Sequence, residues 1–150
     1  MNASVDWMAR GRPTAAVRPR RRIPAARSSL TAAETSNWED QVIDRLFDLL
    51  QFSEDWDSYG AKAPLRTSAD AVFAVLTSIM GRTTPTPSIV PSSQGHFQAE
   101  WHQNGVDLEV EVVTPTKVLV WYSDPHEEWE DEFDFDFTRL VKAVKRLGRA

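Results

Sequence analysis

The chain has 150 residues, with 17 basic and 22 acidic side chains, three histidines and no cysteine. That length suits one domain with a real hydrophobic core, and the missing cysteine excludes disulfides, thiol nucleophiles and cysteine-ligated metal. No apolar run reaches the roughly 18 residues of a membrane span, and the start lacks the apolar stretch of a signal peptide. A cytoplasmic protein is therefore expected.

The net charge of −5 hides a split. Residues 1–30 hold seven arginines (Arg10, Arg12, Arg18, Arg20, Arg21, Arg22 and Arg27) against Asp6, a balance of +6; residues 31–150 hold 10 basic and 21 acidic groups, a balance of −11. With Pro13, Pro19 and Pro24 and no apolar periodicity, residues 1–30 are expected to form a disordered arm. Residues 31–150 are expected to form a single domain. The densest basic point is Arg18-Pro19-Arg20-Arg21-Arg22. Such a segment suits phosphate contact, although Trp7 alone could stack on a base. A solubilising tail, a leader or transit segment, and an arm folded back on the acidic body are alternatives.

A first helix is expected over about 37–52. Ser36 and Glu39 fit a capping box, and Trp38, Val42, Leu46, Leu49 and Leu50 recur at helical spacing. The loop Asp55-Trp56-Asp57-Ser58-Tyr59-Gly60-Ala61 follows, closed by Pro64. Trp56 and Tyr59 are expected to pin it, with Asp57 beside them and Gly60 left-handed. Asp55, Asp57 and Ser58 are only weak cation ligands, because no glutamate follows at calcium-loop spacing. A second helix is expected over about 67–80, capped by Thr67 with Asp70 and stopped by Gly81. Pro85, Pro87 and Pro91 mark a linker into a short edge strand.

Residues 96–102 and 106–112 alternate strictly around Asn104-Gly105, which supplies the positive φ angles of a type I′ hairpin. Pairing Gln103 with Val106 puts Phe97, Ala99 and Trp101 on one face with Leu108, Val110 and Val112. The other face then sets Glu100 opposite Glu109 and His102 opposite Asp107, beside Glu111. Like charges opposed across strands are destabilising, so this face is the first candidate site. A strand over about 117–122, after a three-residue turn, adds Leu119 and Trp121 to it. A solvated face, a dock for basic groups, and an acid/base set of Glu100, Glu109, His102 and Asp107 all fit the pattern. Residues 126–136 are strongly acidic, with Trp129, Phe133 and Phe135 interspersed; one more short strand is expected there, and the acidic cluster over 124–136 reads either as a solvated run or as a phosphate mimic or further docking surface for a basic protein. The last helix, about 137–148, carries Leu140, Val141, Val144 and Leu147 on its apolar stripe. If it covered Trp121, its Lys142 and Lys145 would neutralise Glu100 and Glu109.

Two segments resemble a group of small, uncharacterised bacterial proteins: Trp56-Asp57-Ser58-Tyr59-Gly60-Ala61 with Pro64, and Glu100-Trp101-His102 followed by Gly105-Val106-Asp107-Leu108-Glu109-Val110-Glu111. The likeness covers about residues 38–145. It implies a bacterial, cytosolic, compact protein and transfers no reaction or catalytic residue.

The expected architecture is α+β: two helices, an antiparallel meander of three to five strands, and a C-terminal helix packed on the sheet. The expected function is non-catalytic protein interaction, as an accessory, immunity or antitoxin-like partner of a neighbouring gene product. Glu100, His102, Asp107, Glu109, Glu111 and Trp121 would contact an unidentified basic protein. The alternatives are a nucleic-acid accessory acting through Arg18, Arg20, Arg21 and Arg22, and a hydrolase built on the sheet face. No cofactor or metal is implied.

Overall fold

The computed structural model describes residues 37–134 and 136–148. The Arg-rich arm, including Arg18, Arg20, Arg21 and Arg22, lies outside the described residues, as does Ser36. Helix α1 spans Trp38–Leu49 and buries Val42, Ile43, Leu46 and Leu49. Its cap is Asn37, one residue later than expected: the side-chain oxygen accepts the Asp40 N–H at 3.2 Å. The helix also ends three residues early, at Leu49, and Gln51 and Phe52 turn off it through bonds to Asp48 and Leu49 carbonyls.

Helix α2 spans Arg66–Ile79 and has no side-chain cap. The expected Thr67–Asp70 capping pattern is therefore replaced. Leu65 is extended because its N–H donates to the Gly95 carbonyl at 3.1 Å, and its own carbonyl receives the N–H groups of Ser68 and Ala69. A tertiary bond thus sets where the helix starts. At the other end Met80 is already extended (ψ 138°), and Gly81 has no left-handed φ; the stop is one residue before the expected glycine.

Five strands follow as a simple antiparallel meander: β1 (Ser88–Pro91), β2 (Phe97–Gln103), β3 (Val106–Thr114), β4 (Lys117–Ser123) and β5 (Glu128–Phe133). Pro91 sits on the edge strand, where a missing donor costs least. Asn104 (φ 55°) and Gly105 (φ 76°) form the β2–β3 turn, and the ladder runs from Gln103↔Val106 to Phe97↔Val112 without a slip. The β3–β4 turn differs from expectation. Thr114 pairs with Lys117 across a two-residue turn, and the register shifts between Val112 and Thr114. The extra residue restores Val112↔Val118, the pairing a three-residue turn would also have produced, because the apolar face must stay in phase.

Helix α3 spans Thr138–Leu147 and follows Phe137 without a cap from that side chain. Asp136 supplies the acceptor instead, taking the Thr138 N–H at 2.9 Å and its hydroxyl at 2.6 Å. These donors hold the Asp136 carboxyl below its usual range. Buried stripes of all three helices join one face of the sheet in a single core. On that face Phe97, Ala99, Trp101, Leu108, Val110, Val112, Val118, Val120 and Tyr122 are almost wholly buried. The fold is α+β, and no helix among the described residues is long and apolar enough to cross a membrane.

Candidate functional site

Strand alternation decides what the second sheet face carries. Because Leu108, Val110 and Val112 point into the core, Asp107, Glu109 and Glu111 must point away from it. The same parity sends Leu119 and Trp121 outward from β4, and Glu128, Glu130 and Glu132 outward from β5, since Glu109 pairs with Trp121 and Trp121 with Glu130. Two carboxylate rows therefore run along β3 and β5. They lie two strand spacings, about 10 Å, apart, and the floor between them is the outward side of β4. A shallow open depression of about 490 Å³ sits here, lined by Glu109, Glu111, Leu119, Trp121, Glu130 and Glu132 among others. Leu119 is 36% exposed and Trp121 is half-buried. The Trp121 indole N–H donates to Glu128 at 3.2 Å, which fixes the ring edge and leaves its apolar body in the trough.

Glu100 and Glu109 are direct cross-strand partners, as are His102 and Asp107. The His102 ring nitrogen Nδ1 lies 2.8 Å from Asp107 Oδ1, and Nε2 lies 3.6 Å from Glu100. The Asp107 bond, aided by Glu100, raises the His102 pKa above its ordinary value. His96 approaches Glu111 at 3.7 Å. Lys117 stands at the end of β4 on this face. Among the described residues no lysine or arginine pairs with Glu109, Glu130 or Glu132. The acid/base reading needed a cleft around Glu100, Glu109, His102 and Asp107. His102 and Asp107 are about half exposed, and Glu109 and Glu100 line two different shallow depressions. Among the described residues no group of three or more His, Cys, Asp or Glu side chains is arranged to hold a metal.

Helix α3 does not cover Trp121. Its Leu140, Ala143, Val144 and Leu147 are buried on the opposite face, so Lys142 and Lys145 cannot neutralise Glu100 and Glu109. The reason is the greater apolar area on the other side. The helix is also tied there by the Asn104 side-chain amide, which donates to the Leu147 carbonyl at 2.6 Å. Arg146 reaches the Tyr122 hydroxyl at 2.7 Å, Asp124 at 3.1 Å and Glu127 at 3.0 Å. The Tyr122 hydroxyl, the His126 and Glu127 N–H groups and Arg146 hold Asp124 down at about 2. Burial and the Asp124 carboxylate raise Tyr122. Arg139 stacks 3.8 Å over the Trp129 ring and bonds Asp131 at 3.1 Å. The acidic run of 124–136 is thus sorted by the strand: Asp124, Glu127 and Asp131 serve α3, and Glu128, Glu130 and Glu132 face outward. In sequence, Glu128, Glu130 and Glu132 stand out only as part of an acidic cluster and not as a row on the sheet face, although the period-two pattern of Glu128-Trp129-Glu130-Asp131-Glu132-Phe133 carries it.

The Trp56–Gly60 loop departs from expectation at one residue. Asp57 accepts the N–H groups of Tyr59 at 2.8 Å and Ala61 at 3.1 Å, Trp56 donates to the Lys62 carbonyl at 3.1 Å, and Gly60 is left-handed at φ 88°. Tyr59, however, is 91% exposed and pins nothing. The bonds from Lys62 to Ser93 and from Leu65 to Gly95 do that work, so the anchor is backbone. Asp55 Oδ1 likewise accepts the Gly60 N–H, committing an oxygen that a cation would need.

Comparison with protein-family models, curated protein sequences and solved structures gives no match.

Proposed function

We propose that the protein is a non-catalytic interaction module that docks a basic protein partner on its open sheet face. The observation that supports this is the trough along β4, where an aromatic and aliphatic floor lies between two carboxylate rows whose members Glu109, Glu130 and Glu132 have no cationic partner among the described residues. Opposed carboxylates weaken a sheet. A sequence that keeps them gains when a cationic surface removes their repulsion on binding. Trp121 fits the part of a central anchor, since buried aromatic side chains dominate interface energies while the charged rim sets steering and selectivity. An accessory, immunity or antitoxin-like partner of a neighbouring gene product is the kind of protein this describes, and its setting would be the cytoplasm. Nucleic acid is the less favoured partner, because the same carboxylates repel phosphate and confine any such contact to the arm.

The test is titration of the chain with a lysine/arginine-rich peptide of about ten residues, followed by tryptophan fluorescence. Glu109→Lys/Glu111→Lys should weaken binding by at least tenfold in low salt, and 0.5 M salt should suppress it in the parent. Equal binding by parent and variant would refute the docking face.

A further inference from the structure

We infer that the first occupant of this trough is the chain's own segment Arg18–Arg22, laid along β4 as an internal competitor for the basic partner; this rests on the docking face proposed above.

Three observations lead there. The first is charge: residues 1–30 carry +6 and residues 31–150 carry −11, and the trough sets Glu109, Glu130 and Glu132, with no lysine or arginine partner among the described residues, beside Trp121. The second is period. In an extended chain, side chains two residues apart point the same way and repeat every 6.6–7 Å or so. Pro19 disfavours helical backbone at Arg18, and an extended Arg18–Arg22 would set Arg18, Arg20 and Arg22 in a row with the same repeat as Asp107, Glu109 and Glu111 on β3 and Glu128, Glu130 and Glu132 on β5. Arginine suits both parts of the trough, because its planar group pairs with carboxylates at the rim and stacks on an indole such as Trp121. Other acidic groups compete less well. Glu39, Asp40, Asp44 and Asp48 lie on α1 at helical spacing, which does not match a row of period two.

The third observation is reach. The described chain begins at Asn37, at the start of α1. One and two turns into that helix, Gln41 and Arg45 line a shallow pocket with Ser88, Val90 and Glu100, so α1 starts near the β1 edge of the open face. From β1 to β4 is three strand spacings, about 15 Å. The 14 residues between Arg22 and Asn37 span at most about 50 Å, enough to round the edge and reach β4. A tethered ligand acts at an effective concentration on the order of 1 mM. For an arm whose own dissociation constant is about 100 μM, it lowers the apparent affinity of an external basic partner about tenfold.

The absence of cysteine allows a single reporter. In the full chain, Ala25→Cys carries a nitroxide and backbone amide intensities are read by NMR. Amides of Glu109, Glu111, Trp121 and Glu130 should lose more than half their intensity in low salt. They should recover it in 0.5 M salt or when Arg18, Arg20, Arg21 and Arg22 are all changed to Ser. No broadening, broadening centred on α1, or broadening seen equally when the nitroxide is on a second, unlabelled copy would overturn the proposal. The same four-Ser chain separates the two claims. If the four-Ser chain binds the basic peptide while the nitroxide on the parent chain shows no contact, only the internal competitor is refuted. If it does not bind the peptide, the docking face itself falls.

Discussion

Replacing Glu109 by lysine should stabilise the fold and weaken binding at once. Glu109 and Glu100 are Cα partners three pairs beyond Gln103↔Val106. The pair flanking a two-residue turn exchanges both hydrogen bonds, so Glu100↔Glu109 is of the closer, non-hydrogen-bonded kind. Two unit charges about 5 Å apart in water repel by about 0.8 kcal/mol, and opposed like charges in sheets cost about 0.2–1 kcal/mol. Glu109→Lys removes that repulsion and substitutes a weak attraction, a gain of about 0.5–1 kcal/mol. For a body of this size that is a rise in Tm of about 2–5 °C, read by thermal denaturation at low ionic strength. Binding moves the other way. A guanidinium about 4 Å from Glu109 gains about 1 kcal/mol in water. Reversal turns this into a similar repulsion, so affinity for the basic peptide should fall about 30-fold, and less at 0.15 M salt, where the Debye length is about 8 Å. A Tm that drops by more than about 4 °C would show Glu109 holding the sheet together, and would refute the reasoning. An unchanged affinity would refute it from the other side.

Other positions give independent checks. Asn104→Ala loses both a residue suited to φ 55° and the bond to the Leu147 carbonyl, and should cost about 1–3 kcal/mol by denaturant melt; Asn104→Gly keeps the turn and should recover part of it. A Cβ at Gly148 would sit 2.8 Å from Thr83 Oγ1 and 3.0 Å from its carbonyl oxygen, so Gly148→Ala should destabilise by about 1–3 kcal/mol, with Thr83→Ala in the same chain restoring part of the loss. Asp124 titrates at about 2, so its contribution to stability is present above pH 4 and is lost as pH falls toward 2. Tyr122→Phe should move that midpoint upward in a carboxyl NMR titration; an unmoved midpoint would show that the hydroxyl is not its main cause.

Much of this protein was legible as a string of residues. Asn104-Gly105 and the alternation around it determined the hairpin register, because a shift of one residue would turn Phe97, Ala99 and Trp101 to water. That register alone placed Glu100 against Glu109 and His102 against Asp107. Helix stripes were equally plain in Val42, Leu46 and Leu49 and in Leu140, Val144 and Leu147, because apolar period carries over long windows. What local pattern could not supply was anything decided by a partner distant in the chain. Helix α2 starts where Leu65 meets Gly95, not at the residue with the best capping side chain. Tyr59 looks like a loop anchor in sequence, yet backbone bonds to Ser93 and Gly95 hold the loop and leave the ring in solvent. Above all, sequence could not say which sheet face the last helix would take. Tertiary packing settled it: the apolar side of the meander offers more area to bury and the Asn104 amide closes the helix end, so the carboxylate rows on either side of Trp121 stay uncovered by α3.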